Sequence, residues 1–91
     1  MRYSVLFVHA VLAKDVPSLD RSVLQQIHEA IDSKLKTDPD VFGKPLRRSL
    51  KGYRSLRVGN YRIVYRIEKA LVRVVAIIHR SRGYEEVSRR T

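Results

Sequence analysis

The chain has 91 residues, enough for one small domain, and its hydrophobic content of 44% argues against disorder of the whole chain. It contains no cysteine, which excludes disulfide bridges and cysteine-based zinc sites. Its formal net charge of +10 is concentrated beyond position 43: residues 44–91 hold fourteen basic and three acidic residues, whereas residues 1–43 hold five basic and six acidic ones, which favours a nucleic acid or an acidic protein as the partner.

The first half of the chain predicts a strand followed by two helices. Residues 2–8 are rich in the aromatic and β-branched residues that strands prefer. A short helix is expected over residues 9–16, after which Pro17-Ser18 breaks the chain and offers an N-cap. Apolar side chains then recur at every fourth position from Leu19 to Leu35, which predicts an amphipathic helix that ends before Pro39. The apolar N-terminal run is too short to span a bilayer and lacks a signal-peptide cleavage pattern, so a soluble cytoplasmic protein with no membrane partner is expected.

The second half predicts a hairpin-rich sheet. Residues 38–52 combine prolines, glycines and four basic residues, which predicts a basic loop with one helical turn. Strands follow at 53–58, 61–67 and 71–79, with Gly59-Asn60 as a two-residue hairpin turn. The remainder predicts a short polar tail in which Arg89 and Arg90 are tail charges. Residues 1–91 therefore predict one α+β domain of order β-α-α-β-β-β, in which a helical pair packs on one face of a small, largely antiparallel sheet.

Strand alternation sorts the side chains of this sheet into an apolar and a basic face. In the second of the three strands, one face carries Tyr61, Ile63, Tyr65 and Ile67, with both tyrosines expected in the core, and the other carries Arg62, Val64 and Arg66. In the third strand, the apolar row Val72, Val74, Ala76 and Ile78 is assigned to the helices, and Arg73, Val75, Ile77 and His79 to the opposite face. In the first strand, Arg57 falls on the face opposite Arg54, Leu56 and Val58.

The basic face has the residue types that RNA recognition requires. Arg57, Arg62 and Arg80 are expected to bind phosphate oxygens through the planar guanidinium group, and Tyr84 to stack on a base or donate its phenol proton. No metal site is predicted, because carboxylates are scarce beyond position 43 and the histidines show no ligand spacing. Metal-free RNA cleavage by the 2′-hydroxyl remains possible, since clustered cations stabilise the charge that develops on the phosphorane.

Two segments resemble a known family. Residues 56–65, which run from Leu56 through Gly59-Asn60 to Tyr65, together with residues 74–80 and Tyr84, resemble the RelE/ParE toxin superfamily, and residues 52–84 are similar to its RelE branch. The resemblance implies a toxin of a type II toxin–antitoxin system that cleaves messenger RNA in the ribosomal A site without metal or cofactor. It also implies a hetero-oligomeric complex with a cognate antitoxin, which can bring the complex to operator DNA.

The resemblance also implies roles for individual residues. Arg62 matches the arginine that binds phosphate and stabilises the transition state, Arg80 the arginine at the leaving group, and Tyr84 the C-terminal tyrosine that stacks on the base or assists proton transfer. The other cations expected to contact RNA or the ribosome are Lys44, Arg47, Arg48, Lys51, Arg54 and Arg82.

The proton acceptor is the open question of this assignment. Arg54 and Arg57 stand where relatives commonly have lysines, and arginine cannot act as a general base in a protein. The candidates for the base are therefore His79, Tyr84 and Lys51, with His79 first because imidazole titrates near neutrality. Two alternatives stay open: a ParE-type inhibitor of DNA gyrase with the same fold and no enzymatic activity, and a non-catalytic nucleic-acid-binding domain.

Overall fold

A computed structural model describes residues 2–91, which form one sheet with helices on both faces. The strands are β1 (Ser4–Phe7), β2 (Lys44–Pro45), β3 (Arg54–Val58), β4 (Tyr61–Glu68) and β5 (Leu71–His79), and the α-helices are α1 (Arg21–Ala30) and α2 (Glu85–Arg90). Looser π-helical turns cover Val11–Asp15 and Ile31–Leu35, and 3₁₀ turns cover Val16–Ser18 and Arg48–Leu50. None of the helices in residues 2–91 has both the length and the apolar composition needed to cross a membrane.

The sheet has the order β1-β5-β4-β3-β2. β1 runs parallel to β5, and every other neighbouring pair is antiparallel. The predicted α+β class and the largely antiparallel sheet are therefore confirmed. Gly59 adopts a φ of +59° in the turn that joins β3 to β4, as the predicted hairpin requires. The predicted basic loop has its one helical turn at Arg48–Leu50, but it also contributes β2, the short edge strand that the sequence did not indicate.

The long predicted helix is present as α1 and the π-helical turn that continues it. It begins at Arg21 because the side chain of Asp20 accepts a hydrogen bond from the Val23 amide at 2.9 Å. The predicted N-cap at Ser18 is wrong, since the Ser18 hydroxyl donates to the Asp15 carbonyl instead. The apolar stripe packs on one face of the sheet, where its most buried members are Leu19, Ile27, Ile31 and Leu35.

β5 contains a bulge that the sequence pattern did not indicate. Tyr65 of β4 lies opposite Val74, whereas the preceding residue, Val64, lies opposite Ala76. Val75 is therefore an extra residue in β5. Because side chains alternate with a period of two, one extra residue exchanges the faces of all residues that follow it.

The exchange corrects the face assignment of the third predicted strand. Ile77 packs into the core between the sheet and α1, whereas Ala76 and Ile78 pack on the opposite face, which α2 partly covers. The predicted apolar row is thus right before the bulge and wrong after it. His79 lies opposite Tyr61, and the two rings contact each other edge to face with centroids 5.2 Å apart. The prediction that His79 lies on the basic face with Arg57 and Arg62 is therefore wrong.

The C-terminal segment is a helix and not the predicted polar tail. α2 packs on the sheet face opposite α1, where Val87 is 1% exposed and contacts a second apolar cluster that includes Leu50, Val64 and Ile78. Glu85 and Glu86 lie in the first turn and two arginines in the last, the arrangement that the helix dipole favours. The sheet is therefore packed on both faces, by α1 and its neighbours on one and by α2 over part of the other.

Candidate functional site

The part of the sheet that α2 leaves uncovered forms a groove on β3 and β4, with a volume of about 750 Å³. Its wall is the loop at residues 41–46, and its floor consists of residues 55–57 with Arg62 and Tyr84. Three cations line this groove, Lys44, Arg57 and Arg62, and its lining within residues 2–91 includes no carboxylate. The groove is therefore electrostatically suited to a polyanion.

Arg57 and Arg62 lie directly opposite each other on neighbouring strands. Like charges at such a position repel and lower the free energy of unfolding. Arg57 is exposed, and its Nε donates to the Gly59 carbonyl at 3.2 Å. Neither guanidinium has a carboxylate partner among the described residues. An anion bound between them would remove the repulsion, and this is what a phosphate would do.

Tyr84 connects α2 to the groove floor. Arg62 Nη1 donates to the Tyr84 hydroxyl at 3.3 Å, and the guanidinium carbon lies 5.7 Å from the centroid of the tyrosine ring. The Tyr84 hydroxyl in turn donates to Ser55 Oγ, also at 3.3 Å. The phenol oxygen is thus held between a cation and a hydroxyl. Ser55 shares the face of Arg57 because the two residues are two positions apart in β3, but nothing in the sequence marked Ser55 as a partner of Tyr84.

Arg54 lies behind the groove wall. It shares the helix-side face with Tyr65, and it donates to the Gly43 carbonyl at 2.8 Å and to the Phe42 carbonyl at 3.4 Å. The single proton of the Tyr65 hydroxyl is shared between the Phe42 carbonyl and the Pro39 carbonyl, the latter at 2.7 Å. Burial raises the pKa of Tyr65, partly opposed by the neighbouring Arg54. Arg54 therefore holds the loop that walls the groove and is not among the residues that line it, as expected for a residue on the face opposite Arg57.

The remaining predicted site residues divide into two groups. Arg80 and Arg82 are exposed beyond the end of β5, where the Arg80 amide donates to the Asn60 carbonyl at 2.8 Å, at the same end of the sheet as Arg57. The second group lies around the Arg48–Leu50 turn. Its members are exposed and do not line the groove: Arg47, Arg48 and Lys51. The structure thus brings Lys44, Arg57, Arg62 and Tyr84 together in the groove and leaves the other cations around it.

His79 is held on the other side of the sheet. Its Nδ1 accepts a hydrogen bond from the Ser81 amide at 3.2 Å and lies 2.8 Å from the Ser81 hydroxyl. It lines a separate cavity with Tyr61 and Lys14. Residues 2–91 also contain no group of three or more histidine or acidic side chains placed to share a metal ion.

Nothing in the sequence pattern indicated the ion pair between Asp15 and Arg90, whose side chains are both 9% exposed. The guanidinium meets the carboxylate through two bonds of 2.8 and 2.9 Å, and it also binds Glu86 at 2.6 Å. Asp15 first, and then Glu86, raise the pKa of Arg90 above its ordinary value. The prediction of Arg90 as a free tail charge is therefore wrong, and the only signal of this pair is two opposite charges 75 positions apart.

Residues 8–84 match the family model described as the ParE toxin of the type II toxin–antitoxin system parDE. The chain belongs to the RelE/ParE superfamily of toxins of type II toxin–antitoxin systems.

Within that superfamily the chain is similar to toxins of Mycobacterium tuberculosis (strain ATCC 25618 / H37Rv). It is 34% identical to Toxin RelE over 79 residues, which cover 85% of this chain and 81% of that protein. It is 36% identical to Toxin RelG over 86 residues, which cover 92% and 98%.

Two solved structures share the fold. The crystal structure of the Mycobacterium tuberculosis toxin–antitoxin complex RelBE2 contains a chain that matches with a TM-score of 0.80 and 33% identity, over 87% of this chain and 99% of that one. YafQ from Escherichia coli strain BL21(DE3) matches with a TM-score of 0.56 and 21% identity, over 88% and 96%, which bears on the fold alone.

Proposed function

We propose that the chain is a RelE-type toxin that cleaves messenger RNA in the ribosomal A site without a metal ion. The observation that carries the proposal is the groove of Lys44, Arg57, Arg62 and Tyr84, which has three cations and no carboxylate in its lining. The named relatives are RelE and RelG toxins, and their similarity extends over at least 85% of this chain.

The proposed reaction is an attack by the RNA on its own backbone. The 2′-hydroxyl oxygen bonds to the adjacent phosphorus and loses its proton to a base, while the bond from phosphorus to the 5′ oxygen breaks and that oxygen takes up a proton. The products are a 2′,3′-cyclic phosphate and a 5′-hydroxyl end. Arg57 and Arg62 would stabilise the charge on the phosphorane. Electrostatic stabilisation of this kind is usually the largest single contribution to the rate enhancement of an enzyme.

Tyr84 is the strongest of the three candidates for proton transfer. Its hydroxyl lies in the groove, bonded to Arg62 and Ser55, whereas His79 faces the other side of the sheet and Lys51 is exposed outside the groove lining. Of the three, Tyr84 is therefore the one whose titratable oxygen lies in the groove lining, beside a guanidinium. Arg80 would act from the end of β5 at the leaving oxygen.

A cognate antitoxin is the proposed protein partner. The similar Mycobacterium tuberculosis structure is that of a toxin–antitoxin complex. The net charge of +10 on this chain favours an acidic partner segment, and a segment that covers the groove would exclude RNA from it.

The proposal is tested by adding purified chain to a translation reaction and mapping messenger-RNA ends. Arg62→Ala should lower kcat by on the order of 10²–10³, the loss expected for one transition-state donor. Arg66→Ala is the matched control, because Arg66 lies on the same strand and face but packs over the Tyr53 ring outside the groove. Equal losses in the two variants would contradict the assignment of the groove.

A second candidate is a ParE-type inhibitor of DNA gyrase, which is favoured by the family model that matches residues 8–84. Such a protein would bind its target without cutting RNA. Intact messenger RNA together with trapped gyrase–DNA complexes would support this candidate and overturn the first.

A further inference from the structure

One edge of β5 is hydrogen-bonded to β1 along its first part and to two side chains along its second part. The pairing of β1 with β5 ends where the Val8 amide donates to the Val74 carbonyl at 3.0 Å. Just beyond that point, the Ile77 amide donates to Asp15 Oδ2 at 2.9 Å. Arg90 Nη1 donates to the Val75 carbonyl at 3.0 Å. The ion pair therefore continues the hydrogen bonding of β5 after β1 has ended, and it bonds to the strand at its bulge.

This pair joins parts of the chain on the two sides of the sheet. Asp15 ends the π-helical turn that packs with α1, whereas Arg90 ends α2 on the opposite face. Their bidentate bond is the strong form of a charged hydrogen bond, and burial keeps salt from screening it. Arg90 makes its four contacts, two to Asp15 and one each to Glu86 and Val75, through two nitrogens of one planar group. Lysine has no equivalent geometry.

α2 needs such a tie because it has only six residues, too few to be stable as an isolated helix. Val87 provides its apolar contact with the sheet, and Arg90 provides its charged contact. Tyr84 is the residue immediately before α2, and its carbonyl accepts the first hydrogen bond of the helix from the Ser88 amide at 2.9 Å. The location of α2 therefore fixes the backbone from which the Tyr84 phenol reaches into the groove.

We infer that Asp15 and Arg90 are positioning residues, whose ion pair holds α2 on the sheet and so holds the Tyr84 hydroxyl between Arg62 and Ser55. Neither residue lines the groove. They act on the site through Tyr84 and do not touch RNA. The catalytic consequence rests on the proposed function, whereas the effect on α2 and Tyr84 does not.

The test uses the full chain with Arg90→Met, Arg90→Lys and Asp15→Asn. Arg73→Met is the matched control, since it removes an arginine that also binds a carboxylate with two nitrogens, that of Glu68, but lies away from α2. Amide hydrogen exchange compares residues 85–91 with β4, NMR follows the Tyr84 ring, and single-turnover cleavage separates kcat from KM.

Arg90→Met should speed exchange in α2 by roughly a hundredfold to a few thousandfold, the range that corresponds to breaking a buried ion pair, while the β4 amides stay protected. The Tyr84 ring resonances should shift, and kcat should fall while KM stays constant, because no RNA contact is lost. Arg90→Lys should restore little of either, since it keeps the charge but not the fork, and it also provides the measurement if Arg90→Met does not fold. Asp15→Asn should give the same changes as Arg90→Met.

Unchanged α2 exchange and unchanged Tyr84 resonances in Arg90→Lys would overturn the inference, and so would full rescue by lysine or equal effects in Arg73→Met. If the wild-type chain cleaves no RNA, the proposed function fails, but the exchange and ring measurements still decide whether the ion pair positions Tyr84.

Discussion

The hydroxyl of Tyr65 anchors the loop that walls the groove, and its removal gives a sharp test of how that wall is held. Tyr65 is fully buried in β4, and its hydroxyl donates to the carbonyls of Pro39 and Phe42. Tyr65→Phe deletes one oxygen atom and leaves the ring in place. The substitution therefore removes these hydrogen bonds with little change in apolar packing.

The cost follows from which carbonyl loses its donor. The Phe42 carbonyl keeps a contact with Arg54 at 3.4 Å, whereas the Pro39 carbonyl loses the hydroxyl that binds it at 2.7 Å. A hydrogen bond contributes about 0.5–1.5 kcal/mol and a buried orphaned acceptor costs about 1–3 kcal/mol, so Tyr65→Phe should lower the free energy of unfolding by about 2 kcal/mol. In a domain of this size that corresponds to a fall in Tm of roughly 8–16 °C.

Urea denaturation followed by circular dichroism measures the change, with an unchanged m-value as evidence that only stability has altered. Tyr61→Phe is the matched control. It lies on the same strand and face, and its hydroxyl has no hydrogen-bond partner among residues 2–91, so its loss should stay within about 0.5 kcal/mol. A loss for Tyr65→Phe no larger than that of Tyr61→Phe would refute the anchoring role.

Tyr65 also makes the free energy of unfolding depend on pH in the alkaline range. Because burial raises the pKa of Tyr65 in the folded protein, the folded state holds this proton more tightly than the unfolded state does. The contribution of the protonated Tyr65 hydroxyl to the free energy of unfolding is thus fully present below about pH 10, the pKa in the unfolded chain. It is lost as pH rises through the pKa in the folded protein. Tyr65→Phe should lack this component, so the stability difference between the two proteins should narrow above pH 10.

Three further predictions concern a turn, a cap and the charge of the groove. Gly43→Ala should lower the free energy of unfolding by about 1–3 kcal/mol, since its new Cβ would collide with the Tyr65 hydroxyl at a φ of +79°, whereas Gly52→Ala meets open space at a φ of +96° and should cost less in the same urea experiment. Asp20→Ala should lower the Tm; because capping lowers the pKa of Asp20, the wild-type advantage is present above about pH 4 and should vanish as pH falls below it. Arg57→Ala should reduce the slope of log affinity for single-stranded RNA against log salt by about 0.7, and an unchanged slope in filter binding would remove Arg57 from the phosphate contacts.

The sequence predicted the fold well where local rules act alone. Alternation in β4 correctly put Ile63 and Tyr65 in the core on the α1 side, because the extra residue of the bulge lies in β5 and because Arg62 and Arg66 mark the opposite face of β4. The same rule put Arg57 and Arg62 on one face, and the structure finds them opposite each other. The presence of both arginines on the groove floor was therefore predictable from the sequences of β3 and β4.

The sequence failed where distant segments decide the outcome. Residues 74–78 are all apolar, so nothing local marks Val75 as the bulged residue, and the faces of Ile77 and His79 could not be assigned. α2 did carry a signal in its acidic start and basic end. Its anchoring by Asp15 did not, since a pairing across 75 positions is set by tertiary packing and not by local pattern.

The bulge at Val75 also governs how roles can be transferred between relatives. In the sequence, His79 and Tyr84 lie at fixed distances from the arginines of β4. An alignment without gaps preserves those distances, but it does not show whether β5 contains a bulge. A homologue with the same number of residues in this strand but no bulge would place its counterpart of His79 on the face of Arg57 and Arg62, whereas here the histidine lies on the α1 face and lines a separate cavity. Transfer of a role to this histidine from a relative should therefore begin from the strand phase at Val75, and only afterwards from the identity of the residue that the alignment supplies.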